Sequence, residues 1–240
     1  HKQSYQSKIR QVFQRMNRAR QLLLILLIGL SATYLKAQTF ETGGLVGMEY
    51  DAKILKGWHF DAETQVRFDH NFTHYDRWKL TVGTNYTFWQ KRIKIGAAYS
   101  FMNYQSDEGI FDFRHRITGS LTLSQKFGIV KLSYRAAFQS TFRDESRGSY
   151  TFNPKTYMRN RLQGTFSIPG KPVKLYVSEE FWWRLYHPGK NIIDELRTTL
   201  GVKYIIKKHH TLDFFLRLSD EVQVKNPEHT LMVGFNYAID

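Results

Sequence analysis

At 240 residues the chain is long enough for one large domain or two small ones, and it has no cysteine, which excludes disulfides, thiolate metal sites and cysteine nucleophiles. The formal net charge of +14 overstates the basicity of the main part, because residues 1–37 hold seven Lys or Arg and no acid, leaving 28 basic against 21 acidic residues. No zinc-finger, basic-zipper or RNA-binding signature accompanies that modest excess, so no nucleic-acid partner is expected.

The first element is an address. Between Met16 and Gln38 the sequence reads MNRARQLLLILLIGLSATYLKAQ. Arg18 and Arg20 supply a positive start, and Leu22 to Leu30 is apolar apart from Gly29. Leu35-Lys36-Ala37 then offers a small residue at a cleavage position. This is the shape of a secretory signal peptide cleaved after Ala37. The apolar stretch is shorter than the roughly 20 residues a spanning helix needs. The expected division is therefore a leader over 1–37 and one exported domain over 38–240. Residues 1–15 precede the start-like Met16 and carry no fold signal.

Alternation dominates the rest of the chain. In WHFDAETQVRFDH (58–70), Trp58, Phe60, Ala62, Thr64, Val66 and Phe68 share one face, and His59, Asp61, Glu63, Gln65, Arg67 and Asp69 the other. Period two marks a strand with unlike faces. The pattern returns in RWKLTVGTNYTFW (77–89), VKLSYRAAFQSTFR (130–143), ELRTTLGVKYIIK (195–207) and TLMVGFNYAID (230–240). Eleven strands are predicted, over 41–54, 58–70, 76–90, 93–105, 113–127, 129–143, 156–168, 173–186, 195–208, 211–223 and 229–239. Most exceed the 5–6 residues usual in globular proteins and suit the ~9–11 needed to cross a bilayer at a tilt. Aromatics gather at strand ends: Trp58 and Phe68 in one strand, Trp78, Phe88 and Trp89 in the next, and Phe181, Trp182, Trp183 and Tyr186 further on. That is the girdle pattern of a membrane barrel.

Connections alternate between tight (55–57, 91–92, 127–128, 169–172, 208–210) and longer, more polar ones (71–75, 106–112, 145–155, 187–193, 225–228). Outer-membrane barrels have short periplasmic turns and longer external loops. The fold class expected is therefore all-β: an antiparallel up-and-down transmembrane β-barrel of 10–12 strands. Twelve is preferred because bacterial single-chain barrels have even counts, with an extra short strand around 38–47 as the source of the twelfth. A soluble lipocalin-like barrel is the alternative. It would turn its polar face to water and carry both signs of charge there. Instead, 113–127 presents Arg114, Arg116, Thr118, Ser120, Thr122, Ser124 and Lys126 on its polar face.

RNRLQGTFSI (159–168), YVSEEFWWRL (176–185) and LRTTLGVKYIIKKHHTLDFFLRL (196–218) give the chain a family likeness. An Arg-x-Arg strand, a strand centred on Glu-Glu-Phe and an Arg-started strand with Gly-x-x-Tyr follow one another. In this the chain resembles a bacterial family of outer-membrane β-barrels known only as a domain of unknown function. The resemblance spans most of 40–240. It implies an outer-membrane barrel and brings no known activity and no catalytic residues with it; the residues themselves point to a porin-like barrel of a Gram-negative bacterium.

For chemistry, His115 and Ser120 lie five apart and so face opposite sides. Asp69, His70 and His74 are the weak catalytic candidates, at an external strand end where an outer-membrane hydrolase would place its site. His59 and Asp61 share a face and are expected to hydrogen-bond in the lumen. Asp107, Glu108 and Asp112 lack the spacing of a calcium loop. No metal and no cofactor are expected, and enzyme activity is not favoured. The stronger signal is positive charge on the polar faces, with Arg114, Arg116, Arg135, Arg159, Arg161 and Arg197 as the lumenal, anion-binding set. It points to a narrow anion-favouring pore. The alternatives are the rim hydrolase and a plugged structural or surface-interaction barrel, whose contact loop at 145–155 would use Tyr150 and Phe152. The expected partners are outer-membrane lipid and small anionic solutes, around a monomer.

Overall fold

The computed structural model describes residues 40–106, 109–143, 153–186, 192–223 and 227–240. The expected signal peptide, its cleavage site after Ala37, Tyr150 and Phe152 lie outside the described residues.

Alternating sequence becomes alternating structure. Eleven strands form among the described residues: β1 (Phe40–Leu55), β2 (Trp58–Asp69), β3 (His74–Phe88), β4 (Ile93–Gln105), β5 (Phe111–Phe127) and β6 (Val130–Arg143), then β7 (Lys155–Ser167), β8 (Val173–Leu185), β9 (Ile192–Lys207), β10 (His210–Glu221) and β11 (His229–Ile239). Each pairs with its chain neighbours and β1 pairs with β11, closing a barrel. Closure leaves no free edge and satisfies the ladder groups of every strand.

The preference for twelve strands is corrected. Residues 40–55 form one continuous 16-residue strand, so no extra short strand precedes it within the described chain. With eleven strands each reversing the last, the eleventh runs in the direction of the first. The closing pair is accordingly parallel, in register from Phe40↔His229 to Tyr50↔Ile239. The expected all-antiparallel order holds for the other ten pairings.

Turns at one end are tight: 56–57, 89–92, 128–129, 168–172 and 208–209. Gly57 allows the first, because at φ 83° a Cβ would stand 2.7 Å from the Thr87 carbonyl oxygen. The connections at the other end are 70–73, 106–110, 144–154, 186–191 and 222–228.

The faces are assigned by exposure. Leu200 is 54% exposed at the middle of β9, while its neighbour Thr199 is 7% exposed. Ile117 in β5 is 57% exposed, whereas Gln139 on β6 is 1% exposed. Apolar side chains thus cover the outside and polar ones fill the inside, the inverse of a soluble protein and the arrangement of a transmembrane barrel. One apolar patch is interior: Leu45, Phe215 and Met232, with Tyr176 against them, pack inside the wall beside the closing seam. Small wall residues make room for its rings. A Cβ on Gly234 would collide with the Phe215 ring, and one on Gly201 with the Tyr176 ring.

Candidate functional site

Inward-facing polar residues surround two chambers. The one toward the long connections holds about 860 Å³ and the one toward the tight turns about 690 Å³. Among the described residues, the larger chamber is lined by fourteen Lys or Arg and seven acids. Both chambers share a belt of residues. It carries Lys79, Lys94, Arg116, Arg135, Arg159 and Arg161 against Glu49 and Glu63, with Gln139 and Gln163 between them. Parity on β3 to β7 turns these side chains to one face: Arg159 and Arg161 are two apart on β7, and Arg135 pairs directly with Arg161.

Some of this charge is neutralised. Glu180 on β8 accepts from Arg135 Nη2 at 2.8 Å, Arg159 Nη2 at 2.9 Å and the Trp182 indole N–H at 3.2 Å. Arg159 also donates to Gln139 Oε1 at 2.8 Å. Guanidiniums of Arg159 and Arg197 stack on the Trp182 ring at 4.0 and 3.9 Å, and Glu195 clamps Arg197 through two bonds of 2.6 and 2.8 Å. Nearer the rim, Arg77 and Arg114 stack on Tyr104 at 4.2 and 3.7 Å. Asp76 binds Arg67 and Arg77 at 2.9 and 2.8 Å, and Lys79 binds Glu63 at 2.8 Å.

Lys203 is paired with Asp213 at 3.1 Å, whereas three arginines have no such counter-charge among the described residues. Arg116 donates to the Thr141 hydroxyl at 3.1 Å, and Arg217 lies over the Phe215 ring at 4.9 Å. Among the described residues no carboxylate comes within ion-pair distance of Arg116, Arg161 or Arg217. The buried Nε of Arg135, Nε of Arg159 and Nε2 of Gln139 have no acceptor among the described residues. Donors held like this at the level where the chambers meet suit a carboxylate or phosphate oxygen.

All six arginines of the expected anion-binding set line the larger chamber. Arg116, Arg135, Arg159 and Arg161 sit in the shared belt, while Arg114 and Arg197 lie outside it, tied to Asp112 and Glu195. Trp182, expected in the aromatic girdle, is instead 6% exposed and faces the lumen, because it alternates with outward Phe181 and Trp183. Strict parity is the signal that identifies it as a lumenal ring, together with Tyr104.

Asp69, His70 and His74 do come together at the long-connection rim, both Nδ1 atoms meeting Asp69 Oδ1 at 3.0 and 2.7 Å. The ring nitrogens of His74 are committed to Asp69 and the Ser106 carbonyl, so neither contacts a nucleophile. His115 faces outward against the Tyr99 hydroxyl and Ser120 faces the smaller chamber, as their odd spacing requires. His59 bonds Asp51 across the β1–β2 pair rather than Asp61, which takes Asn85 at 2.9 Å; the expected His59–Asp61 bond is corrected. Asp112 is bound by Arg114, and Asp107 and Glu108 lie outside the described residues.

No curated protein sequence matches this chain. Among solved structures the chain is similar to the anion-selective porin from Comamonas acidovorans, with 15% identity and a TM-score of 0.36. The match covers 80% of this chain and 55% of that one, so this chain spans little more than half the porin's length. A family model described as Protein of unknown function (DUF2490) matches residues 43–226, most of the barrel, and the chain belongs to that family.

Proposed function

We propose that the protein is an exported outer-membrane barrel of a Gram-negative bacterium that acts as a narrow pore favouring small anions. The observation that carries this reading is the belt shared by both chambers, which among the described residues sets six cations against two acids and leaves Arg116 and Arg161 without a carboxylate at ion-pair distance. Fixed rings of charge set ion selectivity, and arginine adds bidentate contacts to carboxylate or phosphate. Support for the membrane comes from the apolar exterior and from strands of 11 to 17 residues. Export rests on the signal-peptide pattern of Met16 to Gln38.

The test is conductance of the purified barrel in a planar bilayer under a salt gradient. The reversal potential should have the sign of anion preference. Arg116→Gln combined with Arg161→Gln should lower the anion-to-cation permeability ratio. A silent barrel, or one preferring cations, would overturn the reading in favour of a plugged structural barrel.

A further inference from the structure

The long-connection rim carries a second constellation, independent of the lumen. Asp69 ends β2, His74 begins β3 directly opposite it, and His70 stands in the connection between them. The Nδ1 atoms of both histidines point at the same oxygen, Asp69 Oδ1, and the three donor atoms lie within 4.8 Å of one another. The two rings meet edge to face at 5.3 Å, so they converge through nitrogens rather than stack.

The outer nitrogens decide the chemistry. His74 Nε2 lies 3.3 Å from the Ser106 carbonyl oxygen, and His70 Nε2 lies 3.7 Å from Glu41 Oε1. The Ser106 carbonyl can only accept, so it favours the His74 tautomer protonated at Nε2, while the Glu41 carboxylate stands at ion-pair distance from His70. A neutral imidazole has one ring proton. With that proton facing outward, both Nδ1 atoms turn lone pairs toward a carboxylate oxygen that also offers only lone pairs. A second ring proton donated from Nδ1 to Asp69, or a bound cation in its place, supplies the positive charge where they meet. This is the outer-shell pattern of metal-ligating histidines, whose other N–H goes to a backbone carbonyl or a carboxylate.

We propose that Asp69, His70 and His74 form a site for one first-row divalent transition-metal ion, of which Zn²⁺ and Cu²⁺ suit two imidazoles and a carboxylate. Tetrahedral bonds of about 2.0–2.1 Å place donor atoms about 3.3 Å apart, so Nδ1–Oδ1 separations of 2.7 and 3.0 Å need only a small outward shift. His70 is half exposed, which leaves a coordination position open to water. Ca²⁺ and Mg²⁺ demand six or more oxygen ligands and are excluded. The shape of the connection is not the signal. His70, Asn71 and Phe72 have φ of 46°, 58° and 69°, but Trp89, Gln90 and Lys91 make the same left-handed turn without ligating residues. A metal here fastens the β2–β3 connection, with Glu41 of β1 and Ser106 beyond β4 holding the rings.

The test is calorimetric titration of the untagged, detergent-solubilised barrel with Zn²⁺, Cu²⁺, Mg²⁺ and Ca²⁺. One equivalent of Zn²⁺ should bind, Cu²⁺ more tightly, and Mg²⁺ and Ca²⁺ not measurably. His74→Gln should weaken Zn²⁺ at least about tenfold, and Glu41→Gln, acting through His70, by about 10–100-fold. His209→Ala, in a turn at the opposite end, should change nothing. Circular dichroism confirms that each variant keeps its strands. Absence of Zn²⁺ binding would overturn the proposal. So would equal binding of Mg²⁺, or Zn²⁺ affinity unchanged in the His70→Gln, His74→Gln double variant. Conductance reads the lumen and this titration reads the rim, so failure of one is distinguishable from failure of the other.

Discussion

Glu180 shows most clearly how a single residue shapes the lumen. Its carboxylate sits between Arg135 and Arg159 and is itself buried. Glu180→Gln keeps the shape but leaves two guanidiniums without their counter-charge. Breaking a buried pair by removing one partner costs on the order of 3–5 kcal/mol, so the variant should unfold at a clearly lower urea concentration in detergent micelles. It should also raise anion preference, because one negative charge leaves the wall. Trp182 acts differently. Its ring is a neutral platform on which the guanidiniums of Arg159 and Arg197 both stack. Each such contact is worth about 0.5–2 kcal/mol, so Trp182→Leu should destabilise the barrel by about 1–3 kcal/mol in the same urea assay. The arginines were legible as residues because every one falls on the polar parity. Their partners were not, since Arg135–Glu180 joins residues 45 apart through the barrel interior.

At the scale of the strand, alternation decides which side meets lipid, and substitution on the outer face tests it. Leu200 stands near the middle of β9 and faces outward. Leu200→Arg should cost about 2–4 kcal/mol in refolding into lipid vesicles, the penalty of a charge at the bilayer midplane. On a water-facing surface the same change would stay within about 0.5 kcal/mol. The closing seam is the other element with its own behaviour. Parallel pairing is slightly less stable per residue than antiparallel pairing. Gly43 lies in that seam, paired with Met232, and a Cβ there would collide with the Phe68 carbonyl oxygen. Because the obstacle is backbone, Gly43→Ala should destabilise the barrel by about 1–3 kcal/mol, read as earlier amide exchange in β1 and β11. Strand positions were readable to within about three residues from period two alone. The parallel seam was not, since it is a property of the strand count, and one uncertain stretch at the N-terminal end changes the parity of the whole.

For the whole molecule, the asymmetry of the two ends predicts orientation. If tight turns face the periplasm, a cysteine placed at Ile110 should react with a membrane-impermeant maleimide on intact cells. A cysteine at Lys171 should react only after the outer membrane is opened. The native chain has no cysteine, so each variant carries a single reporter. Reversal of the two labelling patterns would place the metal-binding rim in the periplasm and leave the charge of the lumen unchanged.

The sequence by itself determined the architecture. Period-two patterning, strand length and loop asymmetry are local, and each strand records its own two faces, so a two-faced barrel with a cationic lumen is written in the chain alone. Only the tertiary structure decided what depends on closure: eleven strands with a parallel seam, which arginines Glu180 and Glu195 neutralise, and which stay without a carboxylate at ion-pair distance among the described residues. Contacts across a barrel join residues far apart in the chain, and no local period encodes them. The rim site divides the same way. Asp69, His70 and His74 stand close in sequence, but the groups beside their outer nitrogens, Glu41 and the Ser106 carbonyl, come from other strand ends.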